Sequence, residues 1–253
     1  MRITFLGTGT SHGVPVIACR CSVCTSIDTK NHRTRPSIVI TLNGKNILVD
    51  TSPELRIQAL RCGVERVDAI LFTHTHADHL HGLDDVRAFT ALQDNAIPCY
   101  GSPQTLERIR SVFHYAFEFQ HLGVLIPQIK LVQIEGKFQL FGVEVIPLIL
   151  LHGKTEVLGF RIGNFAYATD CNQIPPESME LMRGLDLLVL DALRWSPPNP
   201  THFTIPESLE IVEQLRPKQT YFVHMSHDVE HQDTNSRLPE GIELAYDGLI
   251  VEV

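Results

Sequence analysis

The sequence has no apolar run of the ~18 residues that a membrane-crossing helix needs. Its longest candidate, VEVIPLILL, is short and holds Pro147. There is no low-complexity tract, no obvious repeat and no linker, so residues 1–253 read as a single structural domain. Basic residues are in the minority, 21 Lys and Arg against 29 Asp and Glu, for a net charge of −8. The chain also lacks a Lys/Arg-rich insertion; the densest basic patch, KNHRTR, is short. That balance argues against a general nucleic-acid binder, which wants a basic surface. Bound divalent cations would weaken the argument by adding positive charge where a phosphate sits. The opening MRITFLGTGTSHG lacks the charged and long apolar regions of a secretory signal. The expectation is a cytoplasmic protein without a membrane partner.

Six cysteines are present. In a large chain from a reducing compartment, clustered thiols point to metal sooner than to disulfides. Cys62, Cys99 and Cys171 sit in apolar or turn surroundings and read as packed thiols. Cys19, Cys21 and Cys24, in IACRCSVC, lie close enough to wrap one tetrahedral Zn but need a fourth ligand.

RITFLG reads as a first strand and SIVITLNGKNILVD as a hairpin about Asn43-Gly44. TSPELRIQALRCG reads as a helix capped by Thr51 or Ser52, with Pro53 in its first turn and Gly63 as its stop. SPQTLERIRSVFHYAF reads as one further helix. VDAILFTH, KLVQI, FQLFGVEVIPLIL, VLGFRIG, FAYATD, LDLLVLDA and TYFVHMS read as strands, with Gly163-Asn164 as a turn. PPESMELMRG and TIPESLEIVEQLRP read as helices, and IELAYDGLIVEV as a closing hairpin over Asp247-Gly248. The class is α/β.

FTHTHADHLHG packs four histidines and an aspartate into eleven residues, straight after an apolar strand. His74, His76, Asp78 and His79 fit neither helical nor strand periodicity. A tight loop gathering them around metal accounts for the pattern. His74 and His76 can hold one ion, Asp78 and His79 another. Further ligand types appear at later strand ends: His152, Asp170 and His224. Strand C-terminal ends are where α/β folds place ligands.

This set, THTHADH with His152, ATD with Asp170 and VHMSH with His224, resembles the metallo-β-lactamase superfamily over essentially the whole chain. The resemblance implies an αββα sandwich with a dinuclear site at the sheet edge. It assigns His74, His76 and His152 to one ion, Asp78, His79 and His224 to the other, and Asp170 to the bridge. The bridging Asp is similar to the phosphodiesterase, tRNase Z and glyoxalase II branches, whereas true β-lactamases carry Cys there. The N-terminal thiol cluster narrows the resemblance to the PhnP-like cyclic phosphodiesterases of the phosphonate pathway. It implies a structural Zn on Cys19, Cys21, Cys24 and His227, with His231 as the fallback ligand. It suggests a homodimer.

The implied cofactors are two divalent ions, Mn, Zn or Fe, plus one structural Zn. Two ions sharing a water lower its pKa and supply a hydroxide nucleophile. The substrate expected is a small or cyclic phosphodiester. His202, placed ahead of His224 like the acid histidine of the resembled phosphodiesterases, is the expected general acid. Asp78 is counted with it as catalytic. Asp191 can orient a ligand histidine. Arg194 can clamp phosphate or form a surface ion pair, and the ion pair is expected. His81 can touch substrate; His12, His32, His114 and His121 read as structural. Rival readings are a tRNase Z-like or exonuclease-type nuclease, a glyoxalase II-like thioesterase and a non-hydrolytic relative in pyrroloquinoline quinone synthesis, of which ILVDTSPELRIQ is reminiscent. The complete ligand set favours hydrolysis.

Overall fold

The computed structural model describes residues 1–118 and 125–253. His121 lies outside the described residues. The first half runs β1 (Arg2–Gly7), β2 (Ser37–Leu42), β3 (Lys45–Val49), α1 (Leu55–Cys62), β4 (Ala69–Leu71), α2 (Ala77–Leu80), α3 (Val86–Gln93), β5 (Ile97–Gly101), α4 (Pro103–Val112), α5 (Tyr115–Glu118) and β6 (Ile129–Gln133). The second runs β7 (Phe138–Leu140), β8 (Val143–His152), β9 (Thr155–Ile162), β10 (Phe165–Ala168), α6 (Pro176–Leu181), β11 (Leu187–Asp191), α7 (Ile205–Leu215), β12 (Gln219–Val223), α8 (His231–Arg237), β13 (Ile242–Leu244) and β14 (Ile250–Glu252).

Among the described residues these strands form two seven-stranded sheets, β14-β1-β2-β3-β4-β5-β6 and β13-β12-β11-β10-β9-β8-β7. The sheets face each other across a core of Phe5, Ile40, Leu71, Phe160, Tyr167 and Val189. Strand alternation sends the other side chains outward. On the first sheet Val39, Leu48 and Ile70 meet Leu55, Val86 and Ile109 of the helices. On the second, Leu188, Leu190 and Phe222 meet Ile205, Val212 and Leu215. Strands buried on both faces read as unbroken apolar runs, which is why LDLLVLDA is so uniform. The result is the αββα sandwich.

The strands β3 to β6 run parallel, as do β10 to β13. Parallel pairing collects the C-terminal ends of β4, β10, β11 and β12 at one edge. That edge carries the loops with His74, Asp170, Asp191 and His224.

Four expectations need correction. Neither Thr51 nor Ser52 caps α1, whose N-cap is Glu54 with no side-chain bond. Thr51 instead holds the histidine loop: its N–H donates to the His79 carbonyl at 2.8 Å and its Oγ1 to the Leu80 carbonyl at 3.0 Å, while Ser52 Oγ donates to Gln58 Oε1 at 2.8 Å. Gly82 closes the same contact, since a Cβ there would stand 1.9 Å from the Ser52 carbonyl. The run 102–117 is two helices. Phe113 leaves helical geometry, at φ −109° and ψ 36°, and is buried together with Ala116. The run 138–150 is a hairpin, because Phe141 and Gly142 both take positive φ, 50° and 84°, as a two-residue primed turn requires. The closing hairpin does not form either: β13 pairs with β12 in one sheet and β14 with β1 in the other. Asp247 accounts for the crossing. Its carboxylate accepts from Thr8 N at 2.9 Å, Thr34 N at 2.8 Å and Arg61 Nη2 at 2.9 Å, which anchors the turn to the first sheet.

Candidate metal centre

The histidine loop leaves β4 and is held from beneath by Asp50, at the end of β3. Fully buried, Asp50 accepts from Thr73 N at 2.8 Å, Thr73 Oγ1 at 2.8 Å and His79 Nδ1 at 2.7 Å. His74 Nδ1 in turn donates to Thr73 Oγ1 at 2.9 Å. These partners put the ring proton of both histidines on Nδ1 and turn the lone pair on Nε2 outward. The one-turn helix α2 then brings Asp78 beside His79.

The later strand ends close on the same point. Asp170 Oδ2 lies 3.2 Å from His79 Nε2 and 3.6 Å from His74 Nε2. Asp170 Oδ1 lies 2.9 Å from His224 Nε2. Asp78 Oδ2 is 3.3 Å from His79 Nε2 and 3.7 Å from His224 Nε2. The His76 ring packs 4.5 Å from His74 and 5.0 Å from His152. His152 Nδ1 donates to the Thr201 carbonyl at 2.9 Å, which leaves its Nε2 free. Asp50, Asp170 and His224 all hold left-handed backbone, with φ of 61°, 52° and 64°. Such non-glycine conformations cost about 1–3 kcal/mol each and gather at functional sites.

The donors fit divalent ions. The buried Nε2 atoms of His74, His79 and His224 have no hydrogen-bond partner among the described residues. Unpaired buried polar atoms are expensive, so their convergence is a reason to expect a cation. Two ligand sets fall within reach of one another: His74, His76 and Asp170; and Asp78, His79, Asp170 and His224. Electrostatics point the same way. Burial opposes a charge on His79, yet Asp170, Asp78 and Asp50 outweigh it and hold its pKa well above the usual range. Burial likewise opposes a charge on His224, but Asp170 lifts it to about 10. Despite burial, His224 and His79 hold Asp170 well below the carboxylate range. These carboxylates thus demand positive charge at the centre, which a divalent cation would supply. Burial, by contrast, keeps His74 well below the imidazole range.

His202 sits beside this cluster, its ring stacked on His224 at 4.6 Å and edge-on to His152 at 4.7 Å. Its Nδ1 donates to Asp191 Oδ2 at 3.0 Å. Asp191 also accepts from Cys171 N at 3.3 Å and lies 3.9 Å from His224 Nδ1. It therefore orients His202 directly and faces His224 only at long range.

A second cluster forms where CRCSVC meets the loop after β12. Cys19, Cys21 and Cys24 Sγ stand 3.2, 3.6 and 3.6 Å from His227 Nδ1. A tetrahedral Zn, with bonds of about 2.3 Å to S and 2.0–2.1 Å to N, sets S···N edges of about 3.5 Å. His231 is not part of the group. It is buried against Tyr246 and bonded to Asn235, 3.0 Å away. The backbone N–H of Cys24 helps to lower Cys21 to about 6, whereas burial lifts Cys24 to about 11.

Other sequence candidates lie apart or take unforeseen places. His81 is exposed and packs edge-on to Phe113 at 6.5 Å. His32 meets the Ser26 carbonyl at 2.9 Å, and His114 is exposed beside Tyr115. His12, read as structural, instead lines a cavity with His202 and Arg194. Arg194 donates from Nε to the Pro197 carbonyl at 3.0 Å, and its Nη1 is 3.8 Å from Asp228. Cys99 and Cys171 are buried, and Cys62 is half-buried. Sequence reasoning missed Asp50, Thr73 and Thr201. An aspartate ending an apolar strand, the D of ILVDTS, was the available signal for the first.

Residues 45–225 match the family model described as a beta-lactamase superfamily domain. A solved structure described as a new diphosphatase from the PhnP family is 46% identical, with a TM-score of 0.92 over 99% of this chain and 97% of that one. A curated relative from Porphyromonas gingivalis, named octanoyltransferase, is 38% identical over 98% of this chain. The chain spans about half of that relative, 51% of its length. Zn(2+)-bound PqqB from Methylobacterium extorquens shares the fold at 18% identity and a TM-score of 0.80, each chain covered in full.

Proposed function

The chain belongs to the beta-lactamase superfamily and, within it, to the PhnP family, and on that premise we propose that this metallo-β-lactamase-fold hydrolase cleaves a small phosphodiester or diphosphate. The observation that carries this reading is the Asp191–His202 pair, bonded at 3.0 Å and packed against His224 of the metal cluster. A phosphoric ester with a poor leaving group needs such a proton donor beside its electrophile.

His74, His76 and His152 would hold one divalent ion, and Asp78, His79 and His224 a second, with Asp170 between them. When bound, such ions supply Lewis acidity, charge neutralisation and an activated water. The chain's own residues do the rest. Asp191 accepts the Nδ1–H bond of His202, so His202 turns its Nε2 toward the departing oxygen as the proton donor. Thr201 fixes His152 by its carbonyl, and Asp50 fixes His79. Cys19, Cys21, Cys24 and His227 would hold a structural Zn that ties the N-terminal loop to the loop of His224. That bond set supports the fold and, through His224, the site.

Elemental analysis of unchelated protein, beside turnover of bis-p-nitrophenyl phosphate, tests the reading. More than two metal equivalents with phosphodiester turnover are expected. Metal at one equivalent or less, or turnover of thioesters alone, refutes it.

A further inference from the structure

We propose that the substrate is a linear, two-armed ester of phosphoric or diphosphoric acid, whose departing arm carries negative charge and whose retained arm is neutral and polar. The arms occupy separate cavities beside the metal cluster. This rests on the phosphoesterase reading above and extends it.

The first cavity, about 360 Å³, is lined by His202, Arg194, His12, Thr201 and Asp228. The second, about 380 Å³, is lined by His74, Thr75, Ser102, Gln104 and Glu156. Of the clustered histidines, His202 borders the first cavity and His74 the second. The His74 ring packs on His76 and His79, at 4.5 and 4.3 Å, while the His202 ring packs on His152 and His224. Ligand pockets run from roughly 300 to 1,000 Å³. Each cavity therefore takes a group the size of a sugar phosphate or a nucleoside, and neither takes a folded RNA. A cyclic monophosphate has one arm and would leave one cavity unused.

The cavities differ in charge. Arg194 is one quarter exposed, at 24%, and is held from behind through Nε by the Pro197 carbonyl. Its Nη1 stands 3.8 Å from Asp228, beyond hydrogen-bond reach, and Asp228 itself accepts from Ser226 Oγ at 3.0 Å. Apart from that long ion pair with Asp228, the terminal N–H groups of Arg194 have no bonded partner among the described residues, and a guanidinium fork matches phosphate. Beside His74 no Lys or Arg among the described residues lines the cavity, and Glu156 repels anions. Hydroxyls and the Gln104 amide suit a neutral, hydrogen-bonding group. The arm that departs past His202 is consequently the anionic one. In the reaction, water oxygen bonds to phosphorus of the retained arm and its proton goes to solvent. The bond from that phosphorus to the departing oxygen breaks, the electron pair stays on oxygen, and His202 supplies the proton.

The test compares ADP-ribose, 2′,3′-cyclic AMP and bis-p-nitrophenyl phosphate on the metal-loaded chain. ADP-ribose should exceed the cyclic nucleotide in kcat/KM by at least tenfold. Arg194→Gln should lower kcat/KM for ADP-ribose roughly 10–100-fold, mainly through KM, the cost of one charge-assisted hydrogen bond. Its ratio to bis-p-nitrophenyl phosphate should fall with it, and Arg194→Lys should restore part of the loss. Cyclic AMP turned over as well as ADP-ribose, or Arg194→Gln lowering all three substrates equally, overturns the proposal. Turnover of bis-p-nitrophenyl phosphate without ADP-ribose overturns the two-armed substrate alone. No turnover of any of the three overturns the phosphoesterase reading along with it.

Discussion

Asp50→Asn changes one oxygen to nitrogen at a residue that touches no substrate, yet it should cost metal. The Asp50 carboxylate receives three donors: Thr73 N–H, Thr73 Oγ1–H and His79 Nδ1–H. Asparagine keeps one acceptor, its carbonyl, which can still take the Thr73 amide. Its NH₂ then replaces the oxygen that faced both Thr73 Oγ1 and His79 Nδ1. The threonine hydroxyl can rotate and accept. His79 cannot adapt so cheaply. Either its Nδ1–H is left unpaired in the core, at about 1–3 kcal/mol, or the proton moves to Nε2. The second route removes the lone pair that faces Asp78 and Asp170.

Both routes predict a loss in metal affinity of roughly 10–100-fold, the usual effect of removing a partner that orients a ligand histidine. The assay is a chelator-competition titration of metal-stripped protein, with far-ultraviolet circular dichroism to confirm folding. An unpaired His79 Nδ1–H would also weaken the fold without metal, by that same cost of about 1–3 kcal/mol. The rise in Tm on adding metal should shrink, because stabilisation by a ligand follows its affinity. Undiminished affinity and an undiminished metal-dependent rise in Tm would refute the argument that Asp50 sets the His79 tautomer.

Two further outcomes are expected. His202→Ala should retain metal and slow 2′,3′-cyclic AMP, with its alkoxide leaving group, by roughly 10²–10⁴-fold, while p-nitrophenyl ester hydrolysis falls far less; equal losses in kcat/KM would leave His202 as a binding residue. Cys21→Ser should lower Tm more than it lowers kcat per folded molecule, since a structural Zn supplies folding free energy on the order of several kcal/mol; a variant that melts like the parent yet loses all turnover would sink the brace.

The ligand-type residues were legible because they are dense and follow apolar strands. His74, Asp170 and His224 stand at strand ends that any α/β reading would flag. What supports them was not legible. Asp50 is one polar residue after a strand, and only the fold shows that Thr73 and His79 reach it. Thr51 and Ser52 have the composition of a helix cap, but the hydrogen bonds of Thr51 go to the histidine loop and the Ser52 hydroxyl goes to Gln58, uses that local propensity does not carry. The closing hairpin failed for a similar reason. Asp247-Gly248 is a sound turn signal, and the carboxylate spends its lone pairs on Thr8 and Thr34, which flank β1 and β2, and on Arg61 of α1. The helices α3 and α8 and the strand β5 escaped notice because their apolar residues are few or short in run.

The loop from His224 to His231 shows why support and chemistry are joined in this chain. His224 holds φ 64°, left-handed backbone that only a few per cent of non-glycine residues adopt. Its neighbours hold it there from separate sides. The fully buried Arg33 donates to the Ser226 carbonyl at 3.3 Å and to the Val229 carbonyl at 2.8 Å. Met225 N–H donates to the Thr8 carbonyl, and Thr10 N–H to the Met225 carbonyl, each at 3.1 Å. The three thiols reach His227 from the N-terminal loop. Each of these partners comes from residues 8–33, before β2 begins. The segment therefore does for His224 what Asp50 does for His79: it restricts a ligand to one geometry before any ion arrives. A cation then meets donors that need little reorganisation, and loosening that N-terminal segment should reach the site through His224 before it reaches the sheets.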